Sequence, residues 1–195
     1  MRSKKVTGCV LAILFCAGSL AASDELQDYK VLATNRTSTM EKEMNESASS
    51  GFRFEKAMGG ESAYGGKEVV VVMSRPKSGA AAAVYSYRLL ATNKTGTMQK
   101  ELQAAGNEGF EYKGQTVFQT AFGGKEVVVI LERNDETGLK RRFEYKLLAT
   151  NKTSTMQKEL QQAAETGFIF DGLTISETAF GGKELVCILK REVTP

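Results

Sequence analysis

The residues best suited to chemistry recur as a set. Asn35-Arg36-Thr37, Asn93-Lys94-Thr95 and Asn151-Lys152-Thr153 each precede a helical pattern, while Gly65-Gly66-Lys67, Gly123-Gly124-Lys125 and Gly181-Gly182-Lys183 each open an apolar strand pattern. A helix N-terminus carries unpaired N–H groups and a partial positive charge, so a flanking cation and hydroxyls make it suited to carboxylates, phosphates or an acidic polymer. The candidate anion-binding residues are Asn35, Arg36, Lys67, Asn93, Lys94, Lys125, Asn151, Lys152 and Lys183. A purely structural role is the competing expectation: these groups would cap the helix and close a hairpin. Gly-Gly-Lys here runs into Glu and a strand, not into a Ser/Thr and a helix, so it has the composition of a tight turn and not of a phosphate loop.

Other chemistries are excluded by residue type. The 195 residues contain no His and no Trp and only three Cys, which removes His-ligated metal sites, His-based triads and a disulfide-dense scaffold. No catalytic, metal-binding or cofactor-binding residue is expected. Cys187 alternates with Leu185 and Leu189 and takes the place of Val71 and Val129, so it reads as a buried apolar thiol. Met40, Met98 and Met156 read as core. The Asn45-Glu-Ser47 sequon and the three Asn-x-Thr loops would accept glycans in a eukaryotic secretory route, but side-chain capping of the following helix is the favoured role for the loops.

Behind these sets stands a threefold repeat. Tyr29-Lys-Val-Leu-Ala-Thr-Asn35 returns as Tyr87-Arg-Leu-Leu-Ala-Thr-Asn93 and Tyr145-Lys-Leu-Leu-Ala-Thr-Asn151, a spacing of 58 residues, and the Gly-Gly-Lys-Glu motif keeps the same offset. The expected organisation is a signal peptide over 1–23, unit 1 over 24–76, a linker over 77–84, unit 2 over 85–134, a linker over 135–142 and unit 3 over 143–195.

Within a unit, Tyr87 to Thr92 reads as a strand, and Met98, Leu102 and Ala105 recur at i, i+4 and i+7 as one face of a helix. Ser38 with Glu41 and Ser154 with Gln157 have capping-box spacing, and Gly51, Gly109 and Gly167 stand where a left-handed C-cap belongs. A second strand follows from Phe110 or Phe168, and a third covers Val127–Leu131 or Leu185–Leu189. The fold class is α+β: three tandem β-α-β-β repeats, each a three-stranded antiparallel sheet with one helix on one face. The third strand is apolar at consecutive positions, so it belongs in the centre, between the first and second strands. The helix covers one face, and a unit of this size needs the other covered too, by the sheet of another unit or of another chain.

The opening Phe143-Glu144-Tyr145-Lys146, the Glu108-Gly109-Phe110 and Glu165-Thr-Gly167-Phe168 helix ends, and the closing Lys190-Arg191-Glu192 together resemble the small bacterial domain of unknown function family 4177. The resemblance implies a bacterial β-α-β-β unit and brings no catalytic residues. The chain departs from it in carrying Phe, where that family has Trp, after the Gly, and in its Leu-Ala-Thr-Asn-[Lys/Arg]-Thr loop.

Arg2, Lys4 and Lys5, the apolar Val10–Phe15 run and the small residues through Ser23 read as a secretory leader, with the mature chain starting near Asp24. Of 26 basic and 23 acidic residues, three basic ones lie in that leader, so the mature chain is near neutral and lacks the charge footprint of a nucleic-acid binder. The expectation is an exported, non-catalytic binding or scaffolding repeat protein, periplasmic or secreted, with no membrane span after leader removal. Its partner is an unknown protein or an anionic ligand, and the exposed sheet faces offer a route to a homo-oligomer. The alternative is an enzyme or inhibitor working through a cleft between units.

Overall fold

The computed structural model describes residues 26–61, 67–78, 84–92, 94–119, 125–136, 141–177 and 182–193. The leader and the three Gly-Gly pairs, apart from Gly182, lie outside these residues. Unit 1 comprises β1 (Gln27–Thr34), α1 (Thr37–Ser49), β2 (Arg53–Glu61) and β3 (Lys67–Pro76). Unit 2 comprises β4 (Tyr85–Thr92), α2 (Thr95–Asn107), β5 (Glu111–Gln119) and β6 (Lys125–Asn134). Unit 3 comprises β7 (Arg142–Thr150), α3 (Thr153–Glu165), β8 (Ile169–Glu177) and β9 (Lys183–Val193).

Each unit folds as a three-stranded antiparallel sheet with its third strand central, in the orders β1-β3-β2, β4-β6-β5 and β7-β9-β8. Val69 pairs with both Thr34 and Gly59, so the end of the first strand and the start of the third lie at one end of the sheet. The apolar run of β6 explains its position. Val127, Val129 and Leu131 join the core formed with α2, while Val128 and Ile130 join the core formed with unit 1, and all five are buried. A strand buried on both faces has no polar face to alternate with.

The helices end as their sequence requires. Gly51, Gly109 and Gly167 take φ of 85°, 89° and 83°, and the amides of Gly51 and Phe52 bond back to the carbonyls of Ala48 and Ser47 in a Schellman arrangement. The helix starts differ from the capping-box expectation. The N-caps are Arg36, Lys94 and Lys152, none with a side-chain cap hydrogen bond, so Ser38 and Ser154 lie inside the first turn. Glu41 cannot fold back on its own helix because its carboxylate accepts the Leu89 N–H of unit 2 at 2.7 Å.

The second strand also departs from a plain ladder. Register shifts fall between Phe54 and Lys56, Tyr112 and Gly114, and Phe170 and Gly172, a β-bulge at the same place in every unit. The expected cover for the free sheet face is met in part. The sheets touch through β2 and β5 at the first junction and through β5 and β8 at the second, but the outer face of unit 2 is also covered by the helix of unit 1, and that of unit 3 by the helix of unit 2. Met40, Met44 and Ala48 of α1 therefore share one core with Val69, Val71 and Met73 of their own sheet and with Tyr87, Leu89, Val128 and Ile130 of the next. Met98 and Leu102 do the same toward Phe143, Tyr145 and Ile188.

Candidate functional site

The chemistry-bearing side chains that the fold brings together are at the junctions between units. β4 and β7 are edge strands, and an edge leaves a row of backbone donors and acceptors that must be paired or solvated. At both junctions the preceding helix pairs them with side chains one turn apart. Asn45 donates from Nδ2 to the Tyr87 carbonyl and accepts the Tyr87 N–H at Oδ1, each at 2.9 Å, and Glu41 accepts from Leu89. In unit 2, Gln99 donates to the Tyr145 carbonyl at 2.9 Å and accepts the Leu147 N–H at 2.7 Å, while Gln103 accepts the Tyr145 N–H at 3.1 Å. Residues at i and i+4 of a helix lie on one face, and their side-chain amides, with the Glu41 carboxylate at the first junction, reproduce the pairing that a further strand would give.

The junction tyrosine locks the same contact from the other side. The Tyr87 hydroxyl accepts the Phe54 N–H at 2.8 Å and donates to Glu132 at 2.8 Å. The Tyr145 hydroxyl accepts the Tyr112 N–H at 2.7 Å and donates to the Phe110 carbonyl at 3.0 Å. Both amides sit at the bulge, where the ladder slips, so the bulge is the socket into which the next unit's tyrosine plugs. Burial is the largest cause that pushes both phenols above their ordinary pKa, which keeps them protonated as donors.

Charges at the junctions alternate in sign. At the first, Arg53 of unit 1 meets the buried Glu132 of unit 2 at 2.8 Å. At the second, Glu111 and Lys190 occupy the corresponding positions, also at 2.8 Å, with the polarity reversed. Burial pushes the Glu111 carboxyl up, but the hydrogen bonds from Lys190 and Lys113 outweigh it and hold the group below the ordinary carboxylate range. Burial wins at Asp171, whose Oδ2 is buried without a hydrogen-bond partner among the described residues and whose carboxyl is pushed up despite Lys190 at 3.1 Å. A polar cleft of about 490 Å³ opens beside these pairs, lined by Arg53, Tyr85, Glu111, Glu132 and Arg141 among others.

The anion-binding candidates are placed less compactly. Asn35, Arg36, Lys94, Asn151, Lys152 and Lys183 are all exposed. Asn93 and the side chains of Lys67 and Lys125 lie outside the described residues. Instead of an Asn cap, Thr34, Thr92 and Thr150 accept the N–H of Arg36, Lys94 and Lys152 at 3.3, 3.1 and 3.2 Å, which fixes the loop before each helix. Lys94 also borders a shallow crevice with Leu147, Val186 and Ile188 of unit 3. Cys187 is buried and free, and burial pushes its thiol up. Among the described residues no cluster of three or more Cys, Asp and Glu could hold a metal, and no helix is long and apolar enough to cross a membrane.

The edge-pairing residues are the part that sequence reading missed. Glu41 passes for a capping-box partner and Asn45 for a sequon, Gln99 and Gln103 carry no motif of their own, and the available signal was the recurrence of these positions at one spacing in every copy. Comparison of the chain with family models, with curated proteins and with solved structures found no match.

Proposed function

We propose that this is an exported, non-catalytic binding or scaffolding repeat protein of the cell envelope or extracellular space, a tandem array whose repeat-to-repeat contact surface doubles as its binding surface. One observation carries the reading: among the described residues, the surface that joins unit 1 to unit 2 and unit 2 to unit 3 is present again, exposed, on the outer sides of unit 1 and unit 3. Tyr29 is 68% exposed where its counterparts Tyr87 and Tyr145 are 3% and 4% exposed. At the other end Phe170, Leu173 and Ile175 are exposed. Apolar patches of this kind on a soluble surface mark interaction sites. The bacterial character implied by the family resemblance agrees with this setting, and the repeated cationic loops would add affinity for anionic ligands.

The test is a thermal-shift screen of the mature chain against inorganic anions, glycans and peptidoglycan fragments, with turnover assayed in parallel. A saturable shift without turnover is the expected result. The cleft of about 490 Å³ between units is what favours the alternative, an enzyme or inhibitor. Turnover of a ligand abolished by Glu132→Gln would establish that alternative. N-terminal sequencing of exported protein, expected to begin within a few residues of Asp24, tests the leader.

A further inference from the structure

Resting on that reading, we propose that the occupant of the open ends is a second copy of this chain: the Tyr29 edge of one molecule seats on the Gln157–Gln161 face of another, continuing the array head to tail.

The inference follows from position. An offset of 58 residues carries Glu41 to Gln99 to Gln157, Asn45 to Gln103 to Gln161, and Phe54 to Tyr112 to Phe170. The first two members of each series build the internal junctions. Each third member stands exposed on unit 3, and Gln157 and Gln161 make no side-chain hydrogen bond among the described residues. The bulge socket is also present at Phe170, with no tyrosine in it among the described residues. At the opposite end, Tyr29 and Val31 of β1 are the counterparts of the edge residues that α1 and α2 grip. The chain thus carries both halves of one heterologous contact, twice joined and once open, and such a contact propagates as a filament or closes as a ring.

Among the described residues the open junction carries no ion pair. Where the internal junctions set Arg53 against Glu132 and Glu111 against Lys190, the open junction would set Ile169 against Ser74 and bring Glu55, which accepts from Ser74, toward Asp171, positions held at the second junction by Asp171 and Lys113 respectively. Stacking unit 2 of one molecule on unit 2 of another would instead oppose Glu111 and Glu132. A second residue also works against tight assembly. The counterparts of Lys56 are Gly114 and Gly172; a Cβ at Gly114 would lie 3.3 Å from the Phe54 ring, and one at Gly172 would overlap the Tyr112 hydroxyl. Lys56 must swing aside for Phe170 to seat, so the contact between molecules is weaker than the tethered ones and reversible.

Sedimentation velocity of the mature chain, from micromolar to about 1 mM, tests this. Average mass should rise with concentration, and Lys56→Gly should move the rise to about tenfold lower concentration, ~1.4 kcal/mol. Val31→Lys blocks the head and Phe170→Lys the tail. Each variant alone should stay monomeric, and an equimolar mixture should give a one-to-one dimer and nothing larger. Gln161→Lys serves as the tail block if Phe170→Lys does not melt as a folded protein. The proposal is overturned by a natural chain that remains monomeric throughout, even if Lys56→Gly assembles. A dimer abolished by Val31→Lys but unaffected by Phe170→Lys also overturns it, since two heads would then be pairing edge to edge, as does a mixture that stays monomeric. A monomeric chain that still shows the ligand-induced shift described above would remove this inference and leave the binding-module reading in place.

Discussion

Gln103 and Tyr145 are in different units, yet the Gln103 amide oxygen accepts the Tyr145 backbone N–H at 3.1 Å, and Asn45 and Tyr87 repeat the relationship at 2.9 Å. A side chain that stands in for a β-strand makes the helix of one unit part of the next unit's sheet. Unit boundaries in sequence are therefore not boundaries in stability.

Removing that amide tests the point. Gln103→Ala leaves the Tyr145 N–H without its partner at a part-buried site, a loss of about 1–3 kcal/mol. Urea titration should show the lower midpoint, and hydrogen exchange should show the Tyr145 and Leu147 amides exchanging faster while those of β1 are unchanged. A variant as stable as the parent would mean that water pairs the edge equally well.

The three equivalent tyrosines supply an internal control. Tyr87→Phe and Tyr145→Phe each strip a hydroxyl that satisfies two groups at a buried junction, with an expected cost of about 1–3 kcal/mol each. Tyr29→Phe alters an exposed position and should stay within about 0.5 kcal/mol of the parent at micromolar concentration. Equal effects at all three sites would contradict the junction role.

Much of the fold was legible because it is written in local patterns. The consecutive valines of β6 announced a strand buried on two faces, and Gly51, Gly109 and Gly167 announced the helix ends. Met40, Met98 and Met156 are core, as their spacing implied. What could not be read is what depends on a neighbour 33 to 79 residues away: the grip of Glu41 and Asn45 on β4, the bulge at Phe54 that holds Tyr87, and the reversal from Arg53–Glu132 to Glu111–Lys190. Ser38 with Glu41 even imitated a capping box, because a carboxylate one turn into a helix has the same spacing whichever amide it serves.

Asp171 gives the junction a pH dependence. Burial raises its carboxyl above the unfolded value, so the folded state binds the proton more tightly than the unfolded one. This contribution is favourable at low pH and is lost as pH rises from the unfolded pKa through the folded one. Asp171→Asn should therefore raise the melting temperature at pH 7 and have little effect near pH 3. Glu111, held below its ordinary value, acts in the opposite sense: its stabilisation is present above the unfolded pKa and lost as pH falls through the folded one. Melting curves of Asp171→Asn and Glu111→Gln across pH should consequently diverge from the parent in opposite directions at neutrality.

For the cationic loops, a combined Lys67→Ala, Lys125→Ala and Lys183→Ala variant separates ligand binding from structure. Surface substitutions change stability by about 0.5 kcal/mol or less each, so if the three lysines serve ligand binding alone the variant should melt close to the parent and lose affinity for whichever anion shifts the parent, most clearly at low salt. Normal melting with unchanged affinity would make these lysines ordinary solvated side chains, and unfolding would assign them to the hairpin.

The junction charges offer a test of how the units keep their order. Glu132 is buried, hydrogen-bonded to Tyr87 and paired with Arg53, and Lys113 lies 3.6 Å away. Its counterpart in unit 3 is Lys190, so Glu132→Lys gives unit 2 the residue that unit 3 already tolerates. If burial of a lysine were the only issue, the substitution would be mild. The partners decide otherwise: the new cation would face Arg53 and Lys113, and breaking a buried pair costs about 3–5 kcal/mol. Arg53→Glu in the same chain recreates the Glu111–Lys190 polarity and should recover part of the loss. The coupling in a double-mutant cycle should be at least about 1 kcal/mol, read by urea denaturation. Additive effects of the two substitutions would show that the pair reports only local solvation. A positive coupling would instead show that alternating polarity sets which unit may follow which, because a unit bearing Glu at the Glu132 position cannot accept one that presents Glu at the Arg53 position.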